Sequence, residues 1–133
     1  MPITSRIDTR SDLAIHTANG PLSIADIVAA YESIASDPSF RPDMGVLWDM
    51  SNTNASGAGP ADVKAVVRAI GNKLGDNTYH KVAIAASSDF LYGLARMYEI
   101  YASRLPIDVK VFRSREEARV WLCDELPVND RTE

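Results

Sequence analysis

The stretch Val46–Val63, VLWDMSNTNASGAGPADV, decides how this chain folds. It begins with three consecutive apolar residues, Val46, Leu47 and Trp48, a short run typical of a strand covered on both faces. It ends just past Pro60, which suits the first turn of a helix because the N–H it lacks has no intrahelical partner there. From Val63 onward, Val66, Val67, Ile70 and Leu74 recur at helical spacing, and Gly75 supplies a stop. The connection between strand and helix is built of small polar residues.

The same alternation extends in both directions. Upstream, Ile3–Asp8 alternates loosely. Residues 11–20 place Leu13, Ile15 and Thr17 on one side and Ala14, His16 and Ala18 on the other, the pattern of a half-buried strand. With residues 9–12 as the turn, the two segments form an opening hairpin. A helix follows, capped by Ser23 with Asp26 three residues on. Its stripe is Ile24, Ile27, Val28, Tyr31 and Ile34, and Asp37-Pro38 ends it. Downstream come a buried strand at 80–87, a third helix at 88–106, a strand at 108–114, and a last helix with Ser114 and Glu117 as its capping pair. The order β-β-α-β-α-β-α-β-α predicts one α/β domain over residues 1–126. Its sheet is mostly parallel, with an antiparallel N-terminal hairpin strand, and residues 127–133 form a frayed tail.

Composition excludes several classes of function. A formal charge of −4 with 14 scattered Lys and Arg argues against nucleic acid, whose binders concentrate positive charge. The single cysteine, Cys123, forbids an internal disulfide, and beside Trp121 and Leu122 it reads as core filler. His16 and His80 are too far apart in sequence to suggest a zinc site. No cofactor is expected. Residues 1–12 carry charges where a signal peptide needs an apolar run, and no stretch approaches the ~20 apolar residues of a membrane span. The expectation is a cytoplasmic protein.

In sheets of this kind ligands favour the carboxyl ends of the strands. Three loops converge there, at residues 51–59, 87–90 and 113–115. Asp49, Ser51, Asn52, Asn54, Ser56, Gly57, Ser87 and Asp89 are the candidates for contacting a ligand or partner. The sharper motifs are absent: no G-x-G-x-x-G, no Gly-Lys-Ser/Thr, no G-x-S-x-G around Ser56. Read singly, Ser56, Gly57 and Gly59 are turn and cap residues, and Asp49 is a strand-end residue bonded to nearby amides. A serine hydrolase built from Ser56 or Ser87, His80 and Asp49 or Asp89 is disfavoured, because His80 begins its strand and so lies at the far end of the sheet.

The third helix carries a second candidate surface. Leu91, Leu94, Ala95, Tyr98, Ala102 and Leu105 form one face, flanked by Phe90, Met97, Ile100 and Tyr101. This apolar arc is wider than burial against one sheet requires. It is either a wide core face or a strip formed by Phe90, Leu91, Leu94, Met97, Tyr98 and Tyr101 that meets an apolar ligand or a second subunit. Leu91, Leu94, Tyr98 and Tyr101 are the lining expected of a ligand cavity beneath this helix.

Four segments, MPITSRID (1–8), ASDPSFRPDMGVLWDMS (35–51), FLYGLARMYEIYA (90–102) and VKVFRSREEARVWL (109–122), resemble stand-alone bacterial SpoIIAA-like proteins, whose fold is that of the STAS anti-sigma factor antagonists. The resemblance implies a non-enzymatic regulatory or binding module. It acts on another protein, on itself as a homodimer, or on a small anionic or apolar ligand. Antagonists of that kind are switched by phosphorylation of the first serine of a DSSG motif. The matching residues here are Asn54-Ala55-Ser56-Gly57, which put asparagine and alanine at the two decisive positions. The phospho-switch does not carry over, and Ser56 is a displaced candidate. The alternatives are a carrier of lipids or other small apolar molecules and, behind it, the serine hydrolase.

Overall fold

The computed structural model describes residues 3–41, 43–54, 58–73 and 80–123. Its elements run β1 (Ile3–Asp8), β2 (Leu13–Pro21), α1 (Ile24–Ala35), β3 (Gly45–Asn54), α2 (Pro60–Lys73), β4 (His80–Ala85), α3 (Asp89–Tyr101), β5 (Ile107–Phe112) and α4 (Arg115–Leu122). The strands lie side by side in chain order, β1-β2-β3-β4-β5. β1 is antiparallel to β2, and the other neighbours are parallel. This is the α/β arrangement that the alternating pattern predicts. Leu74, Gly75 and the tail at 127–133 lie outside the described residues.

Each helix start has a local chemical cause. In α1 the capping box is complete: Ser23 Oγ accepts from the Asp26 N–H and Asp26 Oδ2 accepts from the Ser23 N–H. In α4 only half forms. Ser114 Oγ accepts from the Glu117 N–H, while the Glu117 carboxylate faces the Ser114 hydroxyl. α2 has a cap that sequence reading missed, the Gly59 N–H donating to Asp62 Oδ2 at 2.8 Å.

Two layers cover the sheet. On one face α1, α2 and α3 bury Ala14, Ala18, Val46, Trp48, Val82, Ile84, Val109 and Val111. On the other, α4 lies across β3, β4 and β5 and buries Leu13, Ile15, Leu47, Ala83 and Ala85 under Ala118, Trp121 and Leu122. Cys123, the C-cap of α4, packs against this second cluster, as filler should. Arg119 reaches Asp8 at 3.4 Å and ties α4 to the opening hairpin.

Two expectations need correction. β2 is not half-buried: Leu13, Ala14, Ile15, His16 and Ala18 are all buried. β1 and β3 pair with both its edges and a helix layer covers each of its faces, so the histidine that made the pattern look amphipathic sits inside. Second, β3 runs on through Asn54, so Ser51, Asn52 and Asn54 are strand residues and not loop residues. The end of β2 offers ladder partners to them, pairing Asn19 with Asn52, Gly20 with Thr53 and Pro21 with Asn54 after a register shift between Thr17 and Asn19. Gly20 supplies the positive φ of 71° that this distorted end needs. The Thr53 hydroxyl donates to the Gly20 carbonyl and secures it. Available backbone pairing outweighs the weak strand preference of Asn and Gly.

Gly45 opens β3 where no side chain fits, since a Cβ there would stand 2.9 Å from Leu13 Cδ2 and 3.1 Å from Leu122 Cδ2. Gly45→Val should destabilise the domain by about 1–3 kcal/mol through overpacking. Gly93, exposed within α3 with nothing near its missing Cβ, should respond oppositely. Gly93→Ala should stabilise by roughly 0.5–1 kcal/mol. Equilibrium urea unfolding of the two variants checks both signs.

Candidate functional site

α2 does not settle on the strands below it. Its close backbone neighbours are α1 and α3, which rest over β1 and β5 respectively. Beneath α2 lies a cavity of about 600 Å³. Its floor is Trp48 and Met50 of β3, Ile84 of β4 and Ala86 just beyond it. Its walls are Ile24 and Ile27 of α1, Val63, Val66 and Ile70 of α2, and Leu91, Leu94, Ala95 and Tyr98 of α3. The α2 wall is mostly short β-branched side chains, which reach too little to fill the space. Among the lining residues Ser23 and Ala25 are exposed, and Ala58 and Asp62 are half-buried. They stand at or just before the N-terminal ends of α1 and α2, so the cavity opens at the carboxyl edge of the sheet, where such folds bind ligands.

The cavity expected beneath α3 is thus displaced towards α2. Leu91, Leu94 and Tyr98 line it as expected. Tyr101 does not, standing instead under the Lys64 ammonium, 5.3 Å from its ring centroid. Burial, and secondarily the neighbouring Tyr31, push the Tyr98 phenol well above its ordinary range, so this wall residue stays neutral. Met97 is half-buried, and the rest of the aromatic strip is broken. Phe90 is 51% exposed and Ile100 63% exposed at opposite ends of α3.

The polar candidates at the carboxyl edge do converge, but largely onto one another. Asp49 is buried on the α4 side of the sheet, where Oδ1 accepts the Ser51 N–H at 3.0 Å and Oδ2 meets Arg115 at 3.2 Å. The Ser87 hydroxyl faces the Ser51 carbonyl at 3.4 Å. Asp89 pairs with Arg113 at 2.7 Å, and that guanidinium also lies over the Tyr92 ring. These contacts lace together the ends of β3, β4 and β5 and point away from the cavity. Asn52 is exposed, and Ser56, Gly57 and the Asn54 side chain lie outside the described residues.

A serine–histidine pair is present, though not the expected one. His16, 1% exposed, accepts or donates a 2.8 Å hydrogen bond between Nδ1 and Ser5 Oγ, and its ring stacks on Trp48 with centroids 3.9 Å apart. Burial lowers its pKa from 6.5 to about 4. A hydrolytic base acts through Nε2 while a carboxylate holds Nδ1. Here Nδ1 is taken by the serine itself and the ring is closed in, so the pair props the Trp48 floor. The composition gave no sign of it, because contact across strands, not sequence spacing, brings Ser5, His16 and Trp48 together. His80 begins β4 at the amino end of the sheet, paired with Ile107, away from Ser87. Among the described residues, no three His, Cys, Asp or Glu side chains are placed to share a metal ion.

No family model matches the sequence, and no curated protein matches it. Among solved structures the chain is similar to an uncharacterized protein of the DUF3478 family with a SpoIIAA-like fold, from Shewanella loihica PV-4. The match has a TM-score of 0.58 and 19% identity, covering 91% of this chain and 92% of that one. At that identity the likeness is one of fold, and the fold is SpoIIAA-like, as the resembling segments imply. No described helix is long and apolar enough to cross a membrane.

The buried His16 gives the scaffold a pH limit. Its folded pKa lies below the unfolded value, so the unfolded chain takes up the proton first and stability falls as pH drops. The contribution is complete above pH 6.5 and declines towards about pH 4. Across that window the loss attributable to His16 should total about 3 kcal/mol. His16→Phe, which keeps a ring against Trp48, should show a correspondingly smaller fall when urea unfolding is compared at the two ends of the window.

Proposed function

We propose that this protein is a non-enzymatic binding module whose ligand is a small apolar molecule held in the cavity under α2. The observation that carries this reading is the cavity itself. Its volume of about 600 Å³ falls within the ~300–1,000 Å³ usual for small-molecule sites. The lining is almost wholly aliphatic and aromatic, with Ser23, Asp62 and the Tyr98 hydroxyl as the polar exceptions. Burial of apolar surface is the driving force such a lining offers.

Two features support binding over chemistry. Asp49 and Asp89 at the carboxyl edge are engaged in ion pairs with Arg115 and Arg113, and the buried His16 faces Ser5 in the core. A regulatory role through an anionic ligand at the helix N-termini is less well supported. The first turns of α1, α2, α3 and α4 carry Asp26, Asp62, Asp89 and Glu116 with Glu117, which already complement the helix dipoles.

Titration with the uncharged fluorophore N-phenyl-1-naphthylamine tests the reading. It should bind saturably at one site with enhanced emission. Val66→Trp, which places an indole in the cavity, should weaken it at least about tenfold, or ~1.4 kcal/mol. Leu94→Trp should do the same from the α3 wall, with circular dichroism showing both variants folded. Absence of saturable binding to the folded protein would sink the proposal.

A further inference from the structure

We infer that the cavity selects an apolar molecule carrying a cationic or hydrogen-bond-donating end and turns away one that ends in a carboxylate; this rests on the cavity being the ligand site. Asp62 is the one charged side chain among the described lining residues, and no Lys, Arg or His joins it. It stands in the first turn of α2, at the rim, eight residues before Ile70. At the helical rise that separation is roughly 12 Å, about the reach of a decyl chain. A linear ligand therefore has its body between Trp48, Ile70 and Tyr98 and its head beside Asp62.

The charge at that rim is a carboxylate, with no cation beside it among the described lining residues. Asp62 Oδ2 takes the Gly59 N–H at 2.8 Å, which leaves Oδ1 with acceptor capacity. Across the rim, the Ser23 N–H and the Asp26 N–H are spent on each other's side chains in the α1 capping box. At both places a carboxylate of the chain itself already takes a helix-start amide, Ser23 N–H at α1 and Gly59 N–H at α2, where an anion would otherwise compete for it. Lys64 of α2 lies over the Tyr101 ring, Arg96 of α3 pairs with Glu99, and Arg113 pairs with Asp89 over the Tyr92 ring; none of the three lines the cavity. A carboxylate head would meet a like charge and no counter-ion in a half-buried setting, a costly placement. An ammonium or hydroxyl head gains a hydrogen bond to Asp62, and the ammonium gains a charge-assisted one.

Calorimetric titration with decylamine, decanol and sodium decanoate, each below its micellar concentration, separates body from head. Decylamine should bind tightest and decanoate weakest, the two differing by about tenfold, the scale of one charge-assisted hydrogen bond. Asp62→Asn keeps an oxygen for the Gly59 N–H and so preserves the α2 cap. It should bring the three affinities together, chiefly by weakening decylamine. If none of the three binds the folded protein, the cavity reading itself fails. If all bind alike, or decanoate binds best, the cavity reading stands and the head-group selection is overturned. It is overturned equally if the preference for decylamine is unchanged in Asp62→Asn, or if decylamine binding survives Val66→Trp, which would mark simple attraction to an acidic surface.

Discussion

The strand order is the constraint from which the rest of this structure follows. Strands placed side by side in chain order and joined in parallel require a crossover at each step. Right-handed crossovers that always advance in the same direction put every connecting helix on the same face. α1, α2 and α3 therefore share one side of the sheet, and α4, which follows the last strand, is left to cover the other. The outer two of the three helices rest over the sheet margins, and α2 is carried between them. Whether the space beneath it is filled depends on side-chain length alone, and the residues facing inward from α2 are valines and an isoleucine.

Most of this framework was legible from the residues. The three apolar residues Val46–Trp48, Pro60 and the stripe from Val63 identify a buried strand leading into a helix, and repetition of that unit implies the parallel sheet. Ser23 with Asp26 located the start of α1 because a cap is a local interaction, written in neighbouring residues. The errors arose where a non-local partner decides. His16 looked like the polar half of an alternating strand until β1 and β3 enclosed it. Ser51 to Asn54 looked like a loop until the end of β2 supplied backbone partners. The cavity was foreseen on the aromatic helix, where bulk is conspicuous, but its position follows from the shortness of the α2 side chains, a quieter signal in the sequence. The Asp62–Gly59 cap was readable in principle, since an acid three residues after a glycine that precedes proline is a recognisable helix start.

The two faces of the sheet divide the polar and apolar work. Along the carboxyl edge, Asp49–Arg115 ties β3 to the start of α4, and Asp89–Arg113 ties the start of α3 to the residue after β5. The Lys81 and Lys110 ammoniums lie over the Trp121 ring across the same face. The Asp49 carboxylate is buried and its partner is not, so the pair's value lies in fixing where α4 begins more than in net stabilisation. These contacts hold the sheet as a rigid back wall and leave the opposite side apolar.

Trp48 links the two functions of that apolar side. One face of its indole is occupied by His16, which Ser5 holds from the neighbouring strand, and the residue also forms the floor of the cavity. A floor fixed by stacking on the sheet lies opposite a wall, α2, that leans on other helices and not on strands. Asp62 stands in the first turn of that wall and, on the proposed reading, is the group that a ligand's head engages. Shape in this cavity is set by the sheet and three helices together, and its charge, among the described lining residues, by α2.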